Sequence, residues 1–136
     1  MSLRPANIPS GMLAALNIAA IAIGVAAGSL VASLLALTVG GLLALAGLDA
    51  GPDIGLVLGV LTGLFAGGWL AGSRAVHSER FHGMVAGLVL AFVVVVIARL
   101  RGSPASTQVV VWLAMVSIAI AGLGGWVAGR RKAPGG

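Results

Sequence analysis

The sequence predicts an all-α fold, an integral membrane four-helix bundle in a single domain that covers residues 1–136. Only 8% of the residues are charged and 60% are hydrophobic, whereas a soluble domain has about 25% charged residues. The 22 glycines are typical of membrane helices, where small residues let backbones approach closely. Four apolar stretches are separated by short polar connections. Lipid is therefore expected to cover most of the surface.

The four apolar stretches predict membrane spans at about 11–47, 54–73, 81–100 and 106–129. The last three match the roughly 20 residues that cross a bilayer. The first is unusually long, and as one helix it would extend about 55 Å against a hydrocarbon core of about 30 Å. We expect it to tilt, protrude or break, with Gly40-Gly41 as the weakest point. A fifth span made by splitting this stretch is the alternative.

The short connections carry the usual signals for helix ends. Gly51 is expected to end the first helix, and Pro52 suits the first position of the second. Asp49 and Asp53 flank this turn and are interpreted as turn-forming and capping residues. Ser78 is a candidate cap for the third helix. The basic segment after Gly129 is expected to fray.

Two blocks of sequence recur in the same order in both halves of the chain. Residues 67–74 and 124–131 are identical at six of eight positions, and residues 11–16 and 83–88 at four of six. The repeat predicts two parallel-oriented helical hairpins, 11–74 and 83–131, related by an axis along the membrane normal. Chance resemblance between apolar segments is the alternative interpretation.

The distribution of basic residues predicts that both termini lie in the cytoplasm. With this orientation, six basic residues lie inside and only Arg99 and Arg101 lie outside, as the positive-inside rule requires. Because these residues sit at the ends of apolar runs, the net charge of +5 does not indicate nucleic-acid binding. The expected interface anchors are Trp69, Trp126, Arg74, Arg130, Arg131 and Lys132; Arg4 and Arg80 complete the inside set.

Small residues recur every fourth position and predict close helix packing, in the pattern called a glycine zipper. Residues four apart lie nearly above one another on a helix, so each row forms a shallow groove. The rows either pack within the monomer or bind a second copy or a larger partner. The predicted packing residues are Gly24, Gly28, Gly55, Gly59, Gly63, Gly67, Gly83, Gly87, Ala121 and Gly125.

Nothing in the sequence indicates catalysis, a metal site or a cofactor. The chain has no cysteine, and its three acidic residues lie at or near loops. Three residues near the start of the third span, His77, Glu79 and His82, have side chains that could bind a metal. Their spacing does not fit a specific metal site. The polar residues of the spans are expected to hydrogen-bond to backbone or across helices. They are Asn17, Ser29, Ser33, Thr38 and Thr62.

One pair of motifs resembles a known family. Gly-Gly-x-x-Ala-Gly-x-Arg at 67–74, followed by His82-Gly83-x-x-x-Gly87, resembles the small YrzE-like four-helix membrane proteins, mainly over residues 55–100. The resemblance implies a multi-pass protein of the bacterial cytoplasmic (inner) membrane and supplies no catalytic residue. The long first span and the high alanine content depart from the family pattern.

The sequence therefore predicts a small membrane protein that is not an enzyme. Its expected role is structural or accessory, as a homo-oligomer or as a subunit of a larger membrane complex. One alternative is a small channel or transporter formed by the repeat or by dimerisation, and another is an isolated membrane protein that modulates lipid packing. The expected surroundings are the lipid bilayer, without nucleic acid.

Overall fold

The computed structural model describes residues 17–75, 77–102 and 106–132. These residues form four α-helices and no strand: α1 (Ile18–Leu45), α2 (Gly51–Arg74), α3 (Glu79–Leu100) and α4 (Thr107–Lys132). All four are long and apolar enough to cross a membrane. The predicted all-α, four-helix, multi-pass architecture is thereby confirmed. Arg4 and the repeat block 11–16 lie outside the described residues.

Helix α1 runs without interruption through the glycine pair at 40–41. The side chain of Asn17 begins it, since Oδ1 accepts a hydrogen bond of 3.1 Å from the Ala20 N–H. Gly40 packs against the start of α2, where a Cβ would lie 3.2 Å from Pro52 Cα. This contact supports the helix at the expected weak point, and of the three expected outcomes the break does not occur; the alternative of a fifth span is therefore not realised. Its 28 residues extend about 42 Å, which leaves tilting or protrusion to fit the bilayer.

The sequence predicted that Gly51 ends the first helix, but Gly47 terminates α1 instead. Gly47 has φ +84°. Its N–H donates to Ala44 O, and the Leu48 N–H donates to Leu43 O, each at 3.0 Å. These two bonds form a Schellman motif, which needs a left-handed residue that glycine supplies most easily. Gly51 instead opens α2.

The start of α2 follows the sequence only in part. Pro52 lies in the first turn as predicted, and Asp53 lies beside it, where a carboxylate interacts favourably with the helix dipole. The N-cap is Ala50, without a side-chain hydrogen bond. Asp49 lies in the turn before α2 as predicted, whereas the predicted capping by Asp49 and Asp53 is wrong.

The ends of α3 and α4 also differ from expectation. Ser78 occupies the N-cap position of α3, but with φ 56° its side chain makes no capping bond. Its carbonyl oxygen accepts a hydrogen bond from the His82 N–H instead. Helix α4 continues through Gly129 to Lys132, where a frayed tail was expected.

Helix α2 lies at the centre of the contacts. It packs most extensively against α1 and also against α4 and α3, while α3 contacts α1 and α4. Within the described residues, α1 and α4 do not touch. A two-fold axis along the membrane normal that exchanged the hairpins would make the α1–α4 contact equal to the α2–α3 contact. The helix contacts lack this symmetry, and the predicted hairpin repeat is not confirmed.

Candidate functional site

The contact between α1 and α2 is an antiparallel seam of small residues. A Cβ at Gly24 would lie 2.6 Å from Gly67 O, and a Cβ at Gly67 would lie 2.7 Å from Gly24 O. Gly28 and Gly63 oppose each other in the same way, at 2.7 and 2.5 Å from the facing carbonyl oxygens. Real Cβ atoms essentially never approach that closely. Any side chain at these glycines would therefore push the helices apart.

The seam continues along α1 in the same register. Gly59 packs against Ala32 and Ala36, and Gly55 packs against the backbone of Gly40. These contacts extend over most of α2, since small residues recur every four positions on both helices. The result is the most extensive helix pair in the molecule.

A second antiparallel seam joins α3 and α4. A Cβ at Gly83 would lie 2.5 Å from Ala121 O and 3.0 Å from Gly125 Cα. A Cβ at Gly87 would lie 2.5 Å from Ser117 O. Ala121 is fully buried between these glycines. Each of the ten predicted packing residues thus lies at a contact between helices of the same chain.

Helix α2 has a further glycine face that the sequence analysis missed. Gly68 packs against the Ala121 carbonyl, and a Cβ at Gly72 would lie 2.8 Å from Gly125 Cα. Gly124 of α4 packs against Phe65 O, and its Cβ would lie 2.8 Å from Trp69 N. The signal was present as the four-residue spacing of Gly68 and Gly72. Helix α2 therefore presents one glycine row to α1 and a different one to α4.

His82 connects the beginnings of α1 and α3. Its side chain is only 1% exposed. Nε2 lies 3.0 Å from the Asn17 backbone N, and Nδ1 lies 3.1 Å from Ser78 O. Because a backbone N–H only donates, Nε2 must accept, and the ring proton then lies on Nδ1 and is donated to Ser78 O. His82 is thus a structural residue that links the beginnings of α1 and α3.

The three residues weighed as metal ligands do not come together. His77 is exposed in the connection before α3, whereas His82 is buried. Among the described residues, no three His, Asp or Glu side chains form a group that fits a metal ion. The sequence analysis weighed His82 as a metal ligand and as part of a family motif, and its link to Asn17 was missed because the two residues are 65 positions apart.

Two aromatic–cation pairs lie at the ends of α2 and α4. The Arg130 guanidinium carbon lies 3.7 Å from the centroid of the Trp126 ring, and that of Arg131 lies 5.9 Å from the Trp69 ring. The second pair connects α4 to α2. Such pairs contribute about 0.5–1 kcal/mol at exposed sites. Arg74 ends α2 and Lys132 ends α4, so the predicted anchors lie at the ends of these two adjacent helices.

The polar residues of the spans differ in their hydrogen bonding. Thr38 Oγ1 donates to Leu34 O at 2.7 Å, and Thr62 Oγ1 donates to Leu58 O at 2.8 Å. The prediction that they bond to backbone is confirmed. Asn17 caps α1 and does not lie within it. Ser117 is fully buried against α3, and its Oγ has no hydrogen-bond partner among the described residues.

Ser29 and Ser33 line a groove between α1, α2 and α3. The groove has a volume of about 330 Å³, and its other walls are apolar except for Arg101. Helix α1 contacts α3 through His82 and through Leu90, which lies beside Gly28. Both serines thus face a wall of Leu, Val and Ile side chains across an open space.

No family model, curated protein or solved structure matches the chain. The resemblance to the YrzE-like proteins stays a prediction.

Proposed function

We propose that the protein is a structural or accessory component of a bacterial cytoplasmic membrane, acting as an oligomer or as a subunit of a larger membrane complex. The glycine seams support this proposal because helices of the same chain already pack against these glycines. The four helices are thereby held together as one packed unit. A partner would then bind the outer faces, where large apolar side chains are exposed.

The outer face of α1 is the observation that carries the proposal. Leu30, Leu34 and Leu37 lie on one face of the helix and are 63%, 57% and 75% exposed. Helix α1 contacts α2 and α3 but not α4 within the described residues, and it is the least buried of the four helices. Leucines spaced by four and three residues are typical of surfaces that interlock with another helix. We therefore assign the partner contact to this leucine face.

The experiment compares the size and composition of the assemblies that two triple variants form after gentle extraction from the membrane. The first is L30A/L34A/L37A on α1. The matched control is V109A/V111A/M115A on α4, where all three side chains are also exposed. Native mass spectrometry should show an assembly for the wild type and the control and a smaller species for the α1 variant. A homogeneous wild-type monomer without a partner would contradict the proposal.

The orientation belongs to the same proposal. Both termini face the cytoplasm, because six basic residues then lie inside and two outside. The two hairpins, α1 with α2 and α3 with α4, have the same orientation as the repeat suggests. The pairing of α1 with α2 and of α3 with α4 in the helix contacts supports it.

A second candidate is a small channel or transporter. The groove with Ser29, Ser33 and Arg101 favours it, since hydroxyl groups and a cation line a space between three helices. Solute or ion flux through reconstituted liposomes would test this function. Thr62→Leu is the control, at an exposed position on α2. Flux that is lost in Ser33→Leu but kept in Thr62→Leu would favour transport over the accessory role.

A further inference from the structure

Helices α3 and α4 are closely packed at one end and separated at the other. At the Gly83 end, backbone meets backbone. Beyond Gly87, two adjoining cavities of about 440 and 420 Å³ lie between the helices and share Phe92, Val95 and Val110 in their walls. They form one continuous groove that opens to the side of the bundle. We call it the α3–α4 groove.

The α3–α4 groove is lined by small and by large apolar residues. Ala91 and Ala114 lie in its wall, and Leu88 and Phe92 are exposed along its edge. The wall residues of its larger part have only hydrocarbon side chains. A ligand held there therefore gains by burying hydrocarbon and finds no side-chain hydrogen-bond partner.

One end of the α3–α4 groove carries a cation. Leu88, Phe92, Val95 and Arg99 follow one another at the spacing of a single helix face, and Arg99 lines the second cavity. From Leu88 to Arg99 the helix rises about 16 Å. Arg99 is exposed, and within the described part of the chain its side chain makes no hydrogen bond or ion pair.

We propose that the α3–α4 groove binds one acyl chain of an anionic phospholipid, with the lipid phosphate against Arg99. The hydrocarbon walls match an acyl chain in chemistry. The guanidinium at the end of the groove matches a phosphate, to which arginine binds through two parallel hydrogen bonds. The lipid therefore lies in the leaflet on the side of the membrane where Arg99 and Arg101 are found.

The chain offers a matched control for the charge. Arg101 lies only two residues further along, at the same end of α3, but it lines the groove between α1, α2 and α3. A general attraction of anionic lipid to this end would involve both arginines equally. A bound lipid in the α3–α4 groove depends on Arg99 alone.

The test is native mass spectrometry of the delipidated full chain with phosphatidylglycerol and phosphatidylcholine that carry the same acyl chains. The wild type should bind phosphatidylglycerol more tightly. Arg99→Gln should weaken that binding about tenfold through loss of a charge-assisted contact, and Arg101→Gln should leave it unchanged. Helical content by circular dichroism checks that both variants are folded.

Two further measurements locate the acyl chain. Ala114→Phe adds a large side chain to the wall of the α3–α4 groove and should reduce the binding of both lipids. A lipid with a photoreactive group in its acyl chain should label peptides containing Phe92 or Val110 in the wild type. Equal binding of the two lipids, or equal losses in the two arginine variants, would overturn the proposal. A wild-type dimer that Ala114→Phe dissociates would also overturn it, because a second copy would then occupy the groove.

Discussion

At the scale of single residues, the space beside each glycine decides what a substitution does. Gly63 faces the Gly28 carbonyl and Ala32, and Gly122 faces the flexible side chain of Met84. A methyl group added at Gly41 would meet nothing within 4 Å. Backbone cannot move without shifting a helix, whereas a methionine side chain can turn aside. Glycine content alone therefore does not show which positions matter.

We expect Gly63→Ala to destabilise the protein by about 1–3 kcal/mol, as overpacking does. Gly122→Ala should have a smaller effect, because Met84 can yield. Gly41→Ala should be neutral or stabilise slightly, since alanine favours a helix by up to about 1 kcal/mol over glycine. Tryptophan fluorescence during thermal unfolding in detergent measures all three. A melting temperature for Gly63→Ala equal to that of Gly41→Ala would refute the α1–α2 seam.

The two histidines should differ in their importance for stability. His82→Leu removes the acceptor of the Asn17 N–H and should cost about 1–3 kcal/mol, the usual effect of leaving a buried polar group without a partner. His77→Leu should change stability by less than about 0.5 kcal/mol, because His77 is exposed. Thermal unfolding of the two variants side by side gives the comparison. Equal effects would show that the His82 link adds nothing to the fold.

At the scale of elements, the C-terminal ends of α1 and α3 depend on the backbone conformation of a glycine and not on a capping side chain. Gly47 and Gly102 have positive φ directly after α1 and α3. The expected caps at Asp49, Asp53 and Ser78 are not formed. The glycines have this role because a left-handed residue lets the last carbonyl groups of a helix bond to following N–H groups.

Gly47→Ala should destabilise the protein by about 1–2 kcal/mol, the cost of a left-handed conformation for a residue with a Cβ. Gly47→Asn should cost less, because asparagine adopts this conformation more readily. Gly41→Ala, a glycine substitution within α1 itself, is the control. Unfolding in increasing denaturant or at rising temperature ranks the variants. If Gly47→Ala were as stable as Gly47→Asn, the Schellman motif would not be what terminates α1.

At the scale of the whole molecule, α2 organises the arrangement because it has two glycine faces. The Gly67 row packs on α1 and the Gly68 row packs on α4. This geometry places α1 and α4 on different sides of α2, so they do not meet within the described residues. The leucine face of α1 and the α3–α4 groove are left on the outside of the bundle.

The orientation of the bundle can be tested with single cysteines, because the natural chain has none. Asp49 and His77 are exposed at opposite ends of α2. A maleimide that does not cross membranes should label Asp49→Cys in intact cells and His77→Cys only after permeabilisation. The reverse pattern would contradict the proposed orientation. Labelling of both in intact cells would contradict a membrane crossing by α2.

The sequence by itself determined the number of helices, their approximate bounds and their membrane character. These properties follow from local hydropathy and length, so they can be read without knowing any contact. The four-residue spacing of small residues also predicted that Gly59, Gly63, Gly83 and Gly87 lie at helix contacts. The sequence could not choose between a partner inside the chain and one outside it, because either satisfies the same spacing.

Only the tertiary structure decided which neighbouring helix each row of small residues packs against. It also showed that α1 continues through Gly40, because the start of α2 packs there, and that His82 bonds to Asn17. The second glycine face of α2 and the opening between α3 and α4 depend on how the helices pack around one another. These features join residues far apart in the chain, and local sequence patterns carry no information about such pairings.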